Sequence, residues 1–172
     1  MAILKTFNGN GNYRNENAME LVTEYIFNPY KTISGYYGGY GVSSQCPAES
    51  MMIVSEQFGK SKGVQLRHYV LSFAPCELTN PIVANEIGGR IAQFIGREYQ
   101  ALYAVHENRE HLHIHIVSNS VSYIDGHRFY GRRKEFYKLM DGMQKILCDY
   151  GIYRLIYDSQ KENIPSAEQH TG

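Results

Sequence analysis

The chain alternates short apolar runs with amphipathic stretches, and the period of each run names its element. Residues Ala2 to Phe7 read as a first strand, followed by the Gly/Asn-rich turn Asn8 to Asn12. Asn15 or Asn17 opens a helix through about Phe27, in which Ala18, Leu21, Val22, Tyr25 and Ile26 form a stripe at helical spacing. Asn28-Pro29 stops it. The stretch Ser34 to Ser44 is rich in Gly and Tyr and has no periodicity, so it reads as a loop, either mobile or a binding surface. Pro47 to Phe58 reads as a helix carrying Met51, Met52, Val54 and Phe58.

Gln65 to Ala74 is a strand by composition, closed by Pro75. Thr79 or Asn80 opens the next helix, with Pro81 in its first turn, running to about Gly96. Two apolar runs follow, Ala101 to His106 and Leu112 to Val117, and the polar residues 107–110 between them are few enough to close a hairpin. Asp125-Gly126 marks a turn, and Arg132 to Tyr150 is a last amphipathic helix ended by Gly151. Strands and helices interleave without repeat or linker, which predicts one α/β sandwich domain over residues 1–158, a mainly antiparallel sheet with helices packed on it. From about Ser159 the chain is polar and expected to fray.

Composition narrows the class. At 172 residues, 43% hydrophobic and 20% charged, the chain has the balance of a single soluble domain with a proper core. Its three cysteines are odd in number and widely spaced, so no disulfide framework is expected and a reducing, cytoplasmic setting fits. No run is long and apolar enough to span a bilayer, so no membrane insertion is expected. The 17 basic and 17 acidic side chains cancel, which argues against a generic polyanion binder but leaves room for a local basic groove. Gly59-Lys60-Ser61-Lys62-Gly63 lacks the spacing of a phosphate-binding P-loop.

The chemistry concentrates at His106–Asn119, which holds four of the seven histidines. Residues on a strand alternate faces, so His111, His113 and His115 project to one side. The hairpin brings His106 beside them. Three convergent imidazoles with no cysteine nearby suit a divalent metal that keeps open coordination positions, as a catalytic site requires.

In order along the chain, these residues resemble a known family. His106-x6-His113-x-His115, followed by Val117 and Asn119, is similar to the third motif of conjugative relaxases, mobilisation nucleases of the His-hydrophobe-His endonuclease superfamily. Tyr25, within Leu21-Val-Thr-Glu-Tyr25-Ile-Phe-Asn-Pro-Tyr-Lys31-Thr32, resembles the first motif of the P-type mobilisation group, and Arg67-His-Tyr-Val-Leu-Ser72-Phe73 the second. The resemblance implies a five-stranded antiparallel sheet with flanking helices. It implies a divalent cofactor, Mn²⁺ or Mg²⁺, held by His106, His113 and His115, and Tyr25 as the nucleophile. That tyrosine would attack one phosphodiester of single-stranded origin-of-transfer DNA, giving a 5′-phosphotyrosyl adduct and a free 3′-OH that can later be rejoined.

The same resemblance gives Ser72 a place beside the cleaved phosphate. Members often carry an acidic residue between the first histidine and the pair, and here Asn108 stands where Asp is common. Glu110 is therefore the candidate, ahead of Glu107, for bonding a ligand histidine or assisting deprotonation of the tyrosine. His111, one pair further out, goes to DNA or to the surroundings of the ligands, with Asn119, Lys31 and Arg67 also as DNA contacts. Lys60, Lys62, Arg128, Arg132 and Arg133 are further candidates for phosphate. A monomer is expected, with an accessory DNA-binding protein and a type IV secretion coupling protein as partners. The frayed end suggests a relaxase domain cut from a longer chain.

Three other readings predict different behaviour. A rolling-circle replication initiator or single-tyrosine transposase would use a tyrosine after the histidines, such as Tyr137 or Tyr150. A metallohydrolase would cleave without a covalent adduct. A non-catalytic DNA- or metal-binding module would not respond to loss of Tyr25.

Overall fold

The computed structural model describes residues 1–8, 13–108 and 111–163. Its strands are β1 (Ala2–Asn8), β2 (Thr32–Tyr40), β3 (Leu66–Phe73), β4 (Ala101–Asn108), β5 (His111–Asn119) and β6 (Leu155–Asn163). Its helices are α1 (Ala18–Ile26), α2 (Pro47–Gln57), α3 (Pro81–Ile95) and α4 (Arg133–Cys148). The strands form one sheet in the order β2-β4-β5-β3-β1-β6, antiparallel at every junction except β1 with β6, which is parallel. The expected α/β sandwich is the fold, with six strands in place of five.

The sheet has a helical layer on each side because its strands are apolar on both faces. One face presents Ala2, Leu4, Tyr69, Leu71, Tyr103, Val105, Ile114 and Ile116 to α3 and α4. The other presents Leu66, Leu102, Ala104 and Val117 to Ala18, Met19, Val22 and Ile26 of α1 and to Met51 of α2. Local chemistry sets the helix ends. Asn80 caps α3 by accepting from the Ile82 amide at 2.9 Å. Glu135 closes the first turn of α4 by accepting from the Arg132 amide at 3.0 Å.

Two expectations are corrected. The glycine-rich stretch expected as a loop is mostly the edge strand β2, hydrogen-bonded to β4. Its periodicity is hidden by an irregularity between Thr32 and Tyr37, where Gly35 takes a φ of +83°. The segment expected to fray from Ser159 begins inside β6, which runs to Asn163 beside β1. A smaller difference lies in the hairpin, whose strands run to Asn108 and from His111, so that only residues 109 and 110 lie between them. No helix among the described residues is long and apolar enough to cross a membrane.

Candidate functional site

Strand register assembles the histidines. His106 on β4 pairs directly with His113 on β5, and Ala104 pairs with His115. Paired residues share a face, so His106, His113 and His115 all lie on the α1 side of the sheet. The rings of His106 and His115 are 4.0 Å apart between centroids. β3 lies on the other flank of β5 and places Ser72 opposite His113. His111 sits one pair outward, opposite Asn108.

The helix α1 delivers Tyr25 to the same place. Val22 and Ile26 bury that side of the helix in the core, and Tyr25, three residues after Val22, shares their face. Its ring centroid is 5.7 Å from that of His115, 6.1 Å from His68 and 6.2 Å from His106. Lys31 follows α1 closely and sets its Nζ 4.8 Å from the centre of the Tyr25 ring. Of the neighbouring tyrosines, Tyr30 is 96% exposed, Tyr36 packs against the core on the α3/α4 side, and Tyr37 meets the Phe27 ring at 5.2 Å with the rings tilted.

The carbonyl at the end of α1 orients His106. Such carbonyls have no partner inside their own helix. That of Ile26 accepts from Thr32 Oγ1 at 2.6 Å and from His106 Nε2 at 2.8 Å. Because a carbonyl oxygen only accepts, His106 carries its hydrogen on Nε2, and Nδ1 keeps its lone pair.

His68, which the sequence did not single out, completes the cluster. It is fully buried, with Nε2 2.9 Å from His115 Nδ1 and Nδ1 3.0 Å from the Tyr13 hydroxyl. Burial and then the nearby His106 hold His68 down to about 3. Burial is also the main cause that lowers His106 and His115, the latter well below the ordinary value, with neighbouring imidazoles and Lys31 adding to it. All three rings are therefore neutral at pH 7, the form that ligates metal. The only hint in the sequence is parity: His68 is four residues before Ser72 on one strand and so shares its face.

Other expected residues take different positions. Arg67 alternates to the α4 side of β3, where Nη2 donates to Phe129 O at 3.1 Å. Asn119 is completely buried: Nδ2 donates to Met51 O at 2.9 Å and to Gln100 Oε1 at 3.0 Å. Its Oδ1 accepts from the Val121 amide and from Ser55 Oγ. Arg128 donates to Val64 O and Lys60 O, and Lys60 to Gly126 O, so these cations bind backbone inside the fold. Arg132 and Arg133 stack over Tyr130 and Tyr137. Glu110 lies outside the described residues. A cleft of about 280 Å³ lined by Phe94, Tyr99, His127, Phe129, Glu135 and Lys138 opens on the α3/α4 side, and none of His68, His106, His113 and His115 lines it.

Among the described residues no three His, Cys, Asp or Glu side chains are spaced as a ready-made metal cage. The donor chemistry nonetheless fits a divalent cation. The imidazoles at positions 106 and 115 are neutral, adjacent and buried, and His106 has its tautomer fixed by a backbone carbonyl.

The family model for relaxases, described as the MobA/VirD2-like nuclease domain, matches residues 25–152. The group II intron-interrupted relaxase LtrB of Lactococcus lactis subsp. cremoris (strain MG1363) is 29% identical over 145 residues, covering 69% of this chain and 26% of that protein. Protein rlx of Staphylococcus aureus is 35% identical over 78 residues, covering 45% and 24%. The chain thus spans about a quarter of the length of these curated relatives. A solved structure of the MobM relaxase domain (MOBV; Mob_Pre), bound to 26 nt of pMV158 oriT DNA, matches with a TM-score of 0.52 at 13% identity. That match covers all of this chain and 95% of the other.

Proposed function

We propose that this chain, which belongs to the MobA/VirD2-like relaxase nuclease-domain family, nicks one strand of origin-of-transfer DNA by tyrosine transesterification. The observation that carries the reading is the placement of Tyr25 against the His106–His115 pair, on the face where Ser72 and His113 also stand. In the proposed step the Tyr25 oxygen bonds to phosphorus, the bond to the 3′ oxygen breaks, and that oxygen leaves to take up a proton. The product is a 5′-phosphotyrosyl adduct and a free 3′-OH. The adduct conserves the phosphodiester bond energy, so the reverse attack rejoins the strand.

An ordinary phenol ionises near pH 10, so at neutral pH the hydroxyl needs an electrophilic phosphate and a place for its proton. His106, His113 and His115 would hold the divalent ion, Mn²⁺ or Mg²⁺. When bound, it would supply Lewis acidity toward the non-bridging phosphate oxygens. Lys31 brings a positive charge to the tyrosine, suited to the phosphate that must approach it. Ser72, paired with His113 across the strands, would contact the same phosphate. Glu110 is proposed as the carboxylate that bonds a ligand histidine or takes the tyrosine proton.

A later tyrosine as nucleophile finds less support. Tyr137 and Tyr150 belong to α4 and the residues just after it, which pack on the opposite face from the histidines.

The test is incubation with single-stranded origin DNA and Mn²⁺, read on a denaturing gel for a covalent protein–oligonucleotide adduct. Wild-type protein is expected to form the adduct and Tyr25→Phe to form none. An adduct that persists in Tyr25→Phe would move the nucleophile elsewhere. Cleavage without any adduct would mean that metal-activated water is the nucleophile, and neither product on the cognate origin would leave a binding module.

A further inference from the structure

The cluster holds a buried side-chain relay that the proposed chemistry does not use directly. It runs from the Tyr13 hydroxyl through both nitrogens of His68 to His115 Nδ1, with steps of 3.0 and 2.9 Å. Every member is 6% exposed or less, so water cannot stand in for a lost partner. The relay has two self-consistent hydrogen arrangements. In one, Tyr13 donates to His68 Nδ1 and His68 Nε2 donates to His115 Nδ1. His115 must then carry its own hydrogen on Nε2, and it has no bare nitrogen left. In the other, every hydrogen bond is reversed: His115 Nδ1 donates to His68 Nε2, His68 Nδ1 donates to the Tyr13 oxygen, and His115 Nε2 is bare.

We propose that His68 is a positioning residue which, braced by Tyr13, holds His115 as its Nδ1-protonated tautomer and so leaves His115 Nε2 to ligate the divalent cation. This rests on the metal reading given above. A carboxylate or a backbone carbonyl is the usual acceptor behind a ligand histidine. Here the His68 imidazole does the same work, its Nε2 standing 2.9 Å from His115 Nδ1 and its Nδ1 3.0 Å from the Tyr13 hydroxyl. His106 is held the other way round, since Ile26 O takes its Nε2–H. The two neighbouring ligands are thereby assigned opposite nitrogens, Nδ1 of His106 and Nε2 of His115.

The experiment measures Mn²⁺ affinity by calorimetry without DNA, in wild type, His68→Phe, His68→Gln and Tyr13→Phe. Alongside it, the ring nitrogens of the wild-type protein loaded with diamagnetic Zn²⁺ are read by ¹⁵N NMR. His68→Phe removes the acceptor and is expected to weaken Mn²⁺ by about 10–100-fold, the usual loss for such a partner. A glutamine amide reaches the position of His68 Nε2 and can accept, so His68→Gln is expected to recover most of the affinity. Tyr13→Phe is expected to cost less than His68→Phe. In the Zn²⁺ form, His115 is expected to be protonated at Nδ1 and His106 at Nε2.

Wild-type affinity in a folded His68→Phe, or a His115 protonated at Nε2 in the Zn²⁺ form, would overturn the relay while leaving the metal reading intact. Wild-type protein that binds neither ion would overturn the metal reading and the relay together. Should His68→Phe fail to fold, the ring-nitrogen spectrum of the wild type decides alone.

Discussion

Lys31 holds its ammonium 4.8 Å from the centre of the Tyr25 ring, while its own carbonyl accepts from the Glu107 amide on β4 at 3.3 Å. The residue therefore ties the end of α1 to the histidine strand and puts a cation over the proposed nucleophile. Lys31→Ala is expected to slow nicking roughly tenfold, less than the ~10²–10³-fold of a desolvated oxyanion donor, because the side chain is exposed. The slope of log affinity for single-stranded DNA against log salt should fall by about 0.7, one phosphate's worth. Lys31→Arg should restore both. A wild-type rate and an unchanged slope in Lys31→Ala would reduce Lys31 to a packing role.

Metal ligation and nucleophilic attack should separate by mutation. His113→Ala is expected to lose more Mn²⁺ affinity than the about 10–100-fold typical of residues that only orient a ligand. It should also form no adduct. Tyr25→Phe is expected to bind Mn²⁺ as wild type does and still form none. Calorimetry beside the adduct gel checks both, and a Tyr25→Phe protein that binds no metal would contradict the assignment of separate roles.

The lowered histidines carry a signed consequence for stability in metal-free protein. His68 ionises at about 3 against an ordinary 6.5, and His106 and His115 are lowered too. Between those values the unfolded chain binds protons that the folded chain refuses, so stability is full above pH 6.5 and is lost as pH falls toward 3. Each histidine that stays neutral contributes a slope of about 1.4 kcal/mol per pH unit. Urea denaturation at a series of pH values should show this fall, and His68→Gln should remove about one histidine's share of it. A flat wild-type profile between pH 6.5 and 5 would contradict the burial of these rings.

Asn119 should prove structural. Its amide binds Met51 O and Gln100 Oε1 and its carbonyl receives the Val121 amide, all out of water. Asn119→Ala strands these partners and is expected to cost about 2–4 kcal/mol of stability. In the fraction that stays folded, the salt dependence of DNA binding should not change. A loss of DNA affinity at unchanged stability would instead return Asn119 to the DNA-contact role that its place in the third motif implies.

Much of the site could be read from residue order because its parts are local. The alternation of His113 and His115 is a property of any strand, and the short link to Ala101–His106 permits only a hairpin. What misled was also local. Gly35 breaks the two-residue period of β2, and β6 is polar, so neither looks like a strand until a neighbour offers backbone partners. Arg67 shows the converse: basic and inside a motif, it points away from the site because strand parity puts it opposite His68.

By itself the sequence determined the four helices and the strands β1, β3, β4 and β5, the sandwich class, the shared face of the histidines and the helix that carries Tyr25, since each follows from spacing of a few residues. Only the tertiary structure decided which strands became neighbours and in what register. Register brings His113 opposite both His106 and Ser72, and β3 beside β5 is what lets His68, 47 positions before His115, bond to it. No period along the chain encodes such a contact. It arises when two sheet faces and their helices bury their apolar side chains together, and the buried polar groups must then find partners among whatever that packing has brought within reach.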